Sequence, residues 1–215
     1  MSVIVTGSST GIGKAIAELY LENGYGVWGV DILPSSIVHE RYVHVTGDIR
    51  TVERELFPDP SVLINCAGTL DEELSIDVNL KGTIRFTDLF INSEELRSVL
   101  FIASASARNG AEFPNYCASK AGIVAYMKNL ALKLSKRGIL CNSISPGGVV
   151  TPANRHILES EELYAAVRNE TLLGKWAEAG EIADLAWYLC SVNRSVTGED
   201  ILIDNGEMLK SNFIW

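Results

Sequence analysis

Cysteine, histidine and basic side chains are all scarce in this sequence, and each scarcity removes a class of function. The four cysteines, Cys66, Cys117, Cys141 and Cys190, lie at least 24 residues apart with no C-x-x-C pair. Disulfide frameworks and metal knuckles show tighter spacing, so these read as buried, reduced thiols of a cytosolic protein. The three histidines, His39, His44 and His156, form no ligand motif; they are expected to be structural or exposed, and no metal site is predicted. Lys and Arg number 18 against 27 Asp and Glu, and the bases are scattered along a chain of net charge −9. That balance argues against nucleic acid or an anionic membrane as a partner. Long hydrophobic runs are missing too: Val99-Leu100-Phe101-Ile102-Ala103 falls far short of a bilayer span. No charged lead-in or cleavage site precedes the apolar Ser2-Val3-Ile4-Val5 stretch, so the expected location is the cytoplasm.

What remains is a chain with 47% apolar and 21% charged residues, suited to a soluble globular fold. With 215 residues and no linker, low-complexity tract or repeat beyond β-α alternation, it reads as one domain over residues 1–215. Buried strands are expected at 2–6, 26–30, 42–46, 61–64, 98–103, 139–144 and 200–203. Helical spacing is expected at 14–23, 74–91, 116–136 and 182–190. The link from Asp48 to Asn65 holds Pro58 and Pro60 and leaves room for two helical turns. The charged stretch 153–173 is expected to be an irregular lid.

The first strand runs directly into Gly7-Ser8-Ser9-Thr10-Gly11-Ile12-Gly13, and a helix follows. A glycine-rich turn between strand and helix lets backbone N–H groups approach a phosphate at the positive helix end. The spacing is G-x-x-x-G-x-G, not G-x-G-x-x-G, but the context points to a dinucleotide. Asp31 ends the second strand eighteen residues after Gly13, where an acid hydrogen-bonds ribose hydroxyls and repels a 2′-phosphate. No basic residue stands at Thr10 or Ile32 to receive that phosphate, so the cofactor is expected to be NAD. Asp48 follows the third strand and is expected near the adenine. The small residues of Asn65-Cys66-Ala67-Gly68 would let the backbone lie against a bound cofactor.

Asn115-Tyr116-Cys117-Ala118-Ser119-Lys120 opens an Ala-rich helix and sets a tyrosine and a lysine one turn apart on one face. A free phenol has a pKa of roughly 10, and an ammonium beside it favours the phenolate. Such a pair could exchange a proton with a substrate hydroxyl. Ser104 arrives at the carboxyl end of the fifth strand, where open α/β sheets bind their ligands. Asn79 sits inside a helical stretch, where asparagine is unfavourable unless solvated or engaged.

In the order Thr6 to Gly13, Asp48, Asn65-Cys-Ala-Gly68, Asn79, Ser104, Tyr116 with Lys120, and Pro146-Gly-Gly-Val-Val-Thr151, the chain resembles the short-chain dehydrogenase/reductase family over essentially its whole length. The resemblance implies a Rossmann-type, doubly wound α/β fold: a seven-stranded parallel sheet with helices on both faces. It also implies NAD(P)-dependent interconversion of a small-molecule alcohol and a carbonyl compound. Tyr116 would be the general acid/base. Lys120 would assist it and hold the nicotinamide ribose, Ser104 would bond the substrate oxygen, and Asn79 would hold a water linking Lys120 to solvent. Gly7, Ser9, Gly11, Ile12 and Gly13 would form the pyrophosphate turn. Asp31 would bond the adenosine ribose and Asp48 lie near the adenine, Val149 and Thr151 would fix the nicotinamide carboxamide, and Asn65, Ala67, Gly68, Pro146 and Gly147 would also contact the cofactor.

Against that family, the links from Asp48 to Asn65 and from Gly68 to Asn79 are short, and Cys66 replaces a frequent Asn. The serine lies twelve residues before Tyr116, one fewer than usual, which leaves Ser104 and Ser106 in competition for the role. A different class of function, a non-catalytic NAD(H)-binding redox sensor or scaffold, would have no use for the proton relay. Apolar residues cover more than one face of the 116–136 helix, and the chain ends in Asn212-Phe213-Ile214-Trp215. Both features lead to the expectation of a homodimer or homotetramer.

Overall fold

The computed structural model describes residues 1–111 and 113–210; the aromatic terminus Asn212 to Trp215 lies outside the described residues. The chain runs β1 (Ser2–Thr6), α1 (Gly11–Glu22), β2 (Gly26–Asp31), β3 (Tyr42–Thr46) and β4 (Val62–Asn65). A π-helical turn, Ile76–Gly82, passes into α2 (Thr83–Asp88), followed by β5 (Ser98–Ile102), the short α3 (Ser106–Asn109) and the long α4 (Pro114–Leu134). Then come β6 (Leu140–Pro146), β7 (Val149–Val150), α5 (Arg155–Leu158), α6 (Glu161–Arg168), β8 (Ala177–Glu178), α7 (Ala179–Trp187) and β9 (Asp200–Ile203). Seven strands form one parallel sheet in the order β3-β2-β1-β4-β5-β6-β9. This is the doubly wound Rossmann arrangement. The strand order reverses beside β1, and ligands of such sheets bind at that switch point.

Alternation along the strands divides the core into two layers. Val3, Val5, Val27, Ile64 and Leu100 face α1 and α7, meeting Ile16, Ala17, Tyr20, Ile182 and Ala186. Ile4, Val30, Leu63, Val99 and Phe101 face the other way, toward Phe86, Phe90, Ile123, Met127 and Leu130.

The short link between β3 and β4 holds a single 3-10 turn, Arg54–Leu56, where two helical turns were expected. Its apolar side chains still cover the sheet, because Ile49, Val52 and Phe57 are buried against Ile4 and Val30. Arg85 of α2 pins this stretch by donating to the carbonyl oxygens of Ile49 and Val52, both at 3.0 Å.

The stretch 153–173 is not irregular. Ser160 caps α6, its hydroxyl oxygen accepting from the Leu163 N–H, and Glu161 and Glu162 complement the helix dipole in the first turn. This segment hangs from a small parallel ladder in which Val149 pairs with Ala177 and Val150 with Glu178. α4 buries one face only: Cys117, Ile123, Met127, Leu130 and Leu134 are buried, whereas Ala118, Ala121, Ala125 and Leu132 are exposed. None of the four cysteines forms a disulfide among the described residues; Cys117 and Cys141 are buried, and Cys66 and Cys190 half-buried. No helix among the described residues is long and apolar enough to cross a membrane.

Candidate active site

The glycine-rich turn sits at the switch point between β1 and β4. Gly7 takes a φ of 70°, and a Cβ there would lie 2.9 Å from the backbone of Ala67. Gly13 has an ordinary backbone but no room: a Cβ would overlap the Gly7 carbonyl oxygen, so only glycine lets α1 start this close to β1. Thr6 joins the two strand ends, its hydroxyl oxygen accepting from the N–H groups of Cys66 and Ala67 at 2.9 Å each. α1 begins at Gly11, earlier than its apolar pattern suggests, with no acid in the first turn and no side-chain cap. Its positive end is therefore open to an anion.

The other predicted binding residues lie at strand ends or on the loops that follow them. Asp31 ends β2 and accepts from the Ser9 and Leu33 N–H groups, both at 3.0 Å, which ties the turn to the strand end. Thr151 reaches the turn from β7; a Cβ on Gly11 would lie 3.3 Å from its methyl group. Pro146 ends β6, the Gly147 N–H donates to Ile203, and Val149 is buried. Asn65 ends β4 with its side-chain amide buried and both polar atoms without a partner. Burying an unpaired amide is costly, so this side chain marks a place where a polar ligand would be welcome. Asp48 is paired with Arg50 at 2.6 Å, and the hydrogen bonds from that guanidinium hold its carboxyl below the usual range. Burial pushes the Cys66 thiol up to about 12, so it stays protonated at neutral pH. Taken together, the open helix end, the closed glycine contacts and the unpaired amide suit a nicotinamide dinucleotide.

The residues predicted to handle protons lie on α4, the π-helical turn and the end of β5. Tyr116 and Lys120 lie one turn apart on α4, with the Lys120 Nζ 5.7 Å from the centre of the Tyr116 ring. Lys120 is buried, and its ammonium donates to the Ile102 carbonyl oxygen at 3.0 Å, at the carboxyl end of β5. Gly68 fills the space between: a Cβ there would lie 3.1 Å from the Asn79 Oδ1 and 3.4 Å from Lys120 Nζ. Asn79 lies in the π-helical turn and is fully buried. Its Oδ1 accepts from the Thr69 N–H at 2.7 Å, and its Nδ2 donates to the Thr69 carbonyl oxygen and the Ser119 hydroxyl. A π-bulge often marks a functional segment, and here it carries a buried asparagine.

Ser104 lies two residues beyond β5, yet its backbone is held on both sides: Ala103 N–H donates to Ile144 and Ala105 N–H to Pro146, each at 2.8 Å. Its hydroxyl oxygen accepts from the Ser106 N–H at 3.1 Å. Ser106 begins α3. Sequence reasoning passes over Thr6, Thr69, Glu72 and Ser119, which hold the site together. Ser119 was within reach, being three residues from Tyr116 on a helix; Glu72 carries no local signal at all.

The family model described as enoyl-(acyl carrier protein) reductase matches residues 64–207. A short-chain dehydrogenase of Penicillium roqueforti, AdrF, is 30% identical over 246 residues, spanning 94% of this chain and 95% of that protein. That aligned span exceeds the 215 residues of this chain, so the relative carries segments that this chain lacks. The L-rhamnose 1-dehydrogenase (NADP(+)) of Thermoplasma acidophilum is 28% identical over 97% of this chain and 96% of that one. Among solved structures, 4-hydroxyisoleucine dehydrogenase complexed with NADH superposes with a TM-score of 0.89 at 25% identity, covering 98% of this chain and 99% of that one. The chain belongs to the short-chain dehydrogenase/reductase family of oxidoreductases.

Proposed function

We propose that this protein is an NAD(H)-dependent oxidoreductase, a single domain that interconverts a small-molecule alcohol and its carbonyl compound in the cytoplasm as a homodimer or homotetramer. The grouping of Tyr116, Lys120 and Asn79 around Gly68, with Ser104 two residues beyond the Ile102 carbonyl that Lys120 binds, supports this reading. The bound nicotinamide would supply or accept the hydride. Tyr116 would give its phenolic proton to a carbonyl oxygen in reduction and take it back in oxidation. The buried ammonium of Lys120 would stabilise the charge that the phenol gains as its proton leaves. Ser104 accepts from the Ser106 N–H, which leaves its own proton free for the substrate oxygen. Asn79 spends both amide hydrogens on Thr69 and Ser119, so it would hold a water toward Lys120 only as an acceptor. Asp31, at the end of β2, supports NAD over NADP, since a carboxylate there repels a 2′-phosphate.

The test is turnover of NAD with a panel of secondary alcohols by the unmodified protein and by Tyr116→Phe. The variant should lose two or more decades of turnover, within the usual 10²–10⁴ range for acid–base catalysis, while NADH binding persists. Tight NADH binding with no turnover by the unmodified protein would instead make it a sensor or scaffold.

A further inference from the structure

The first turn of a helix leaves its N–H groups without intrahelical partners. In α4 these groups are all accounted for, although the residue before the helix, Phe113, makes no side-chain cap. Pro114 has no N–H to satisfy. The Cys117 N–H donates to the Phe113 carbonyl oxygen at 2.9 Å. The two N–H groups between them, of Asn115 and Tyr116, both donate to the carboxylate of Glu72, at 2.6 and 3.3 Å. The Asn115 side-chain amide adds a bond to the Glu72 carbonyl oxygen at 3.1 Å.

Glu72 stands on a rigid base. Its segment begins at Thr69, whose N–H and carbonyl oxygen are both bound by the Asn79 side chain. Asp71 accepts from the N–H groups of Glu73 and Leu74, and the Ser75 hydroxyl donates to the Asp71 carbonyl oxygen. The far side of the Tyr116 peptide is held from the same segment. Asn79 donates to the Ser119 hydroxyl at 3.1 Å, and that hydroxyl donates to the Tyr116 carbonyl oxygen at 2.7 Å.

We infer that Glu72 is a positioning residue for the reaction, and that residues 69–79 clamp the Tyr116 backbone at both its N–H and its carbonyl group. This inference rests on the reading of Tyr116 as the acid/base. The link from Gly68 to Asn79 is short, and the clamp occupies the whole of it. A carboxylate at the positive end of α4 is favourable on its own account, but the charge-assisted bonds also fix where the phenol begins. Misplacing a reacting group by about 1 Å can cost roughly 10²-fold in rate.

The experiment compares Glu72→Ala and Glu72→Gln with the unmodified protein by amide hydrogen exchange, NADH binding and steady-state kinetics. In Glu72→Ala the Asn115 and Tyr116 amides should exchange at least tenfold faster, while Cys117, bonded within the helix turn, stays protected. Turnover should fall about tenfold or more with the NADH dissociation constant unchanged within twofold, as expected for lost positioning. Glu72→Gln retains one acceptor oxygen and should recover part of that loss. Unchanged exchange at Tyr116, or unchanged turnover in Glu72→Ala, would overturn the inference. So would a turnover loss that only accompanies weakened NADH binding and a lower melting temperature, which would make Glu72 an ordinary fold residue. Should the unmodified protein show no turnover, the oxidoreductase reading fails, and the exchange measurement still decides whether Glu72 holds α4.

Discussion

Asp31 does two jobs with one carboxylate. It receives the Ser9 and Leu33 N–H groups, fixing the glycine-rich turn against β2, and in the proposed role it would set negative charge beside the adenosine ribose. Catalytic efficiency should therefore be higher with NAD(H) than with NADP(H). Asp31→Ala should narrow that gap while also weakening NAD(H), because the turn loses an anchor. Equal efficiency with both cofactors in the unmodified protein would refute the assignment. The two serines after β5 divide the work in the same concrete way. Ser104 is held by backbone bonds to β6 on either side, whereas Ser106 spends its N–H on Ser104 and begins α3. Ser104→Ala should lower turnover by roughly one to three decades, the size seen when one oxyanion donor is removed. Ser106→Ala keeps that N–H and should change turnover little; the reverse pattern in steady-state kinetics would exchange their roles.

Between elements, α1 packs at Gly13 against the turn that follows β1, with no room for a Cβ. A methyl group there must displace the Gly7 carbonyl, which lies in backbone and cannot swing aside. Gly13→Ala should destabilise the fold by about 1–3 kcal/mol, the usual scale for overpacking, and should abolish NADH binding by moving the turn. Gly180, in the first turn of α7, meets nothing within 4 Å. Gly180→Ala should be neutral or gain up to about 1 kcal/mol from helix propensity alone. Urea midpoints of the two variants check both statements, and equal midpoints would contradict the packing account.

For the molecule as a whole, the outer face of α4 is the feature left open. Ala118, Ala121 and Ala125 form a flat strip of small side chains, and Leu132 farther along is 78% exposed. Small residues let two helices approach closely, so a second copy of the chain is the proposed cover. Light scattering at micromolar concentration should show a dimer or larger, and Ala125→Glu should shift it toward monomer. A monomeric unmodified protein would sink this proposal. Much of the architecture is legible in the sequence. Glycine spacing, strand-end acids and the Tyr-Lys step are local patterns, because backbone sterics and helix periodicity act over a few residues. They determined the strand-turn-helix start and the candidates on α4, and in their order they carried the family resemblance that implied the parallel sheet. The capped helix at Ser160 was equally local and could have been read from Ser160-Glu161-Glu162. Other features had no local signature. That Ile49, Val52 and Phe57 stand in for a helix depends on the sheet area left uncovered and on Arg85 arriving from α2. The grip of Glu72 on Tyr116 spans 44 residues of sequence, and the inward turn of Asn79 depends on a π-bulge closing against Thr69 and Ser119. Such contacts form only after the sheet has brought distant segments together, so tertiary structure alone decided them.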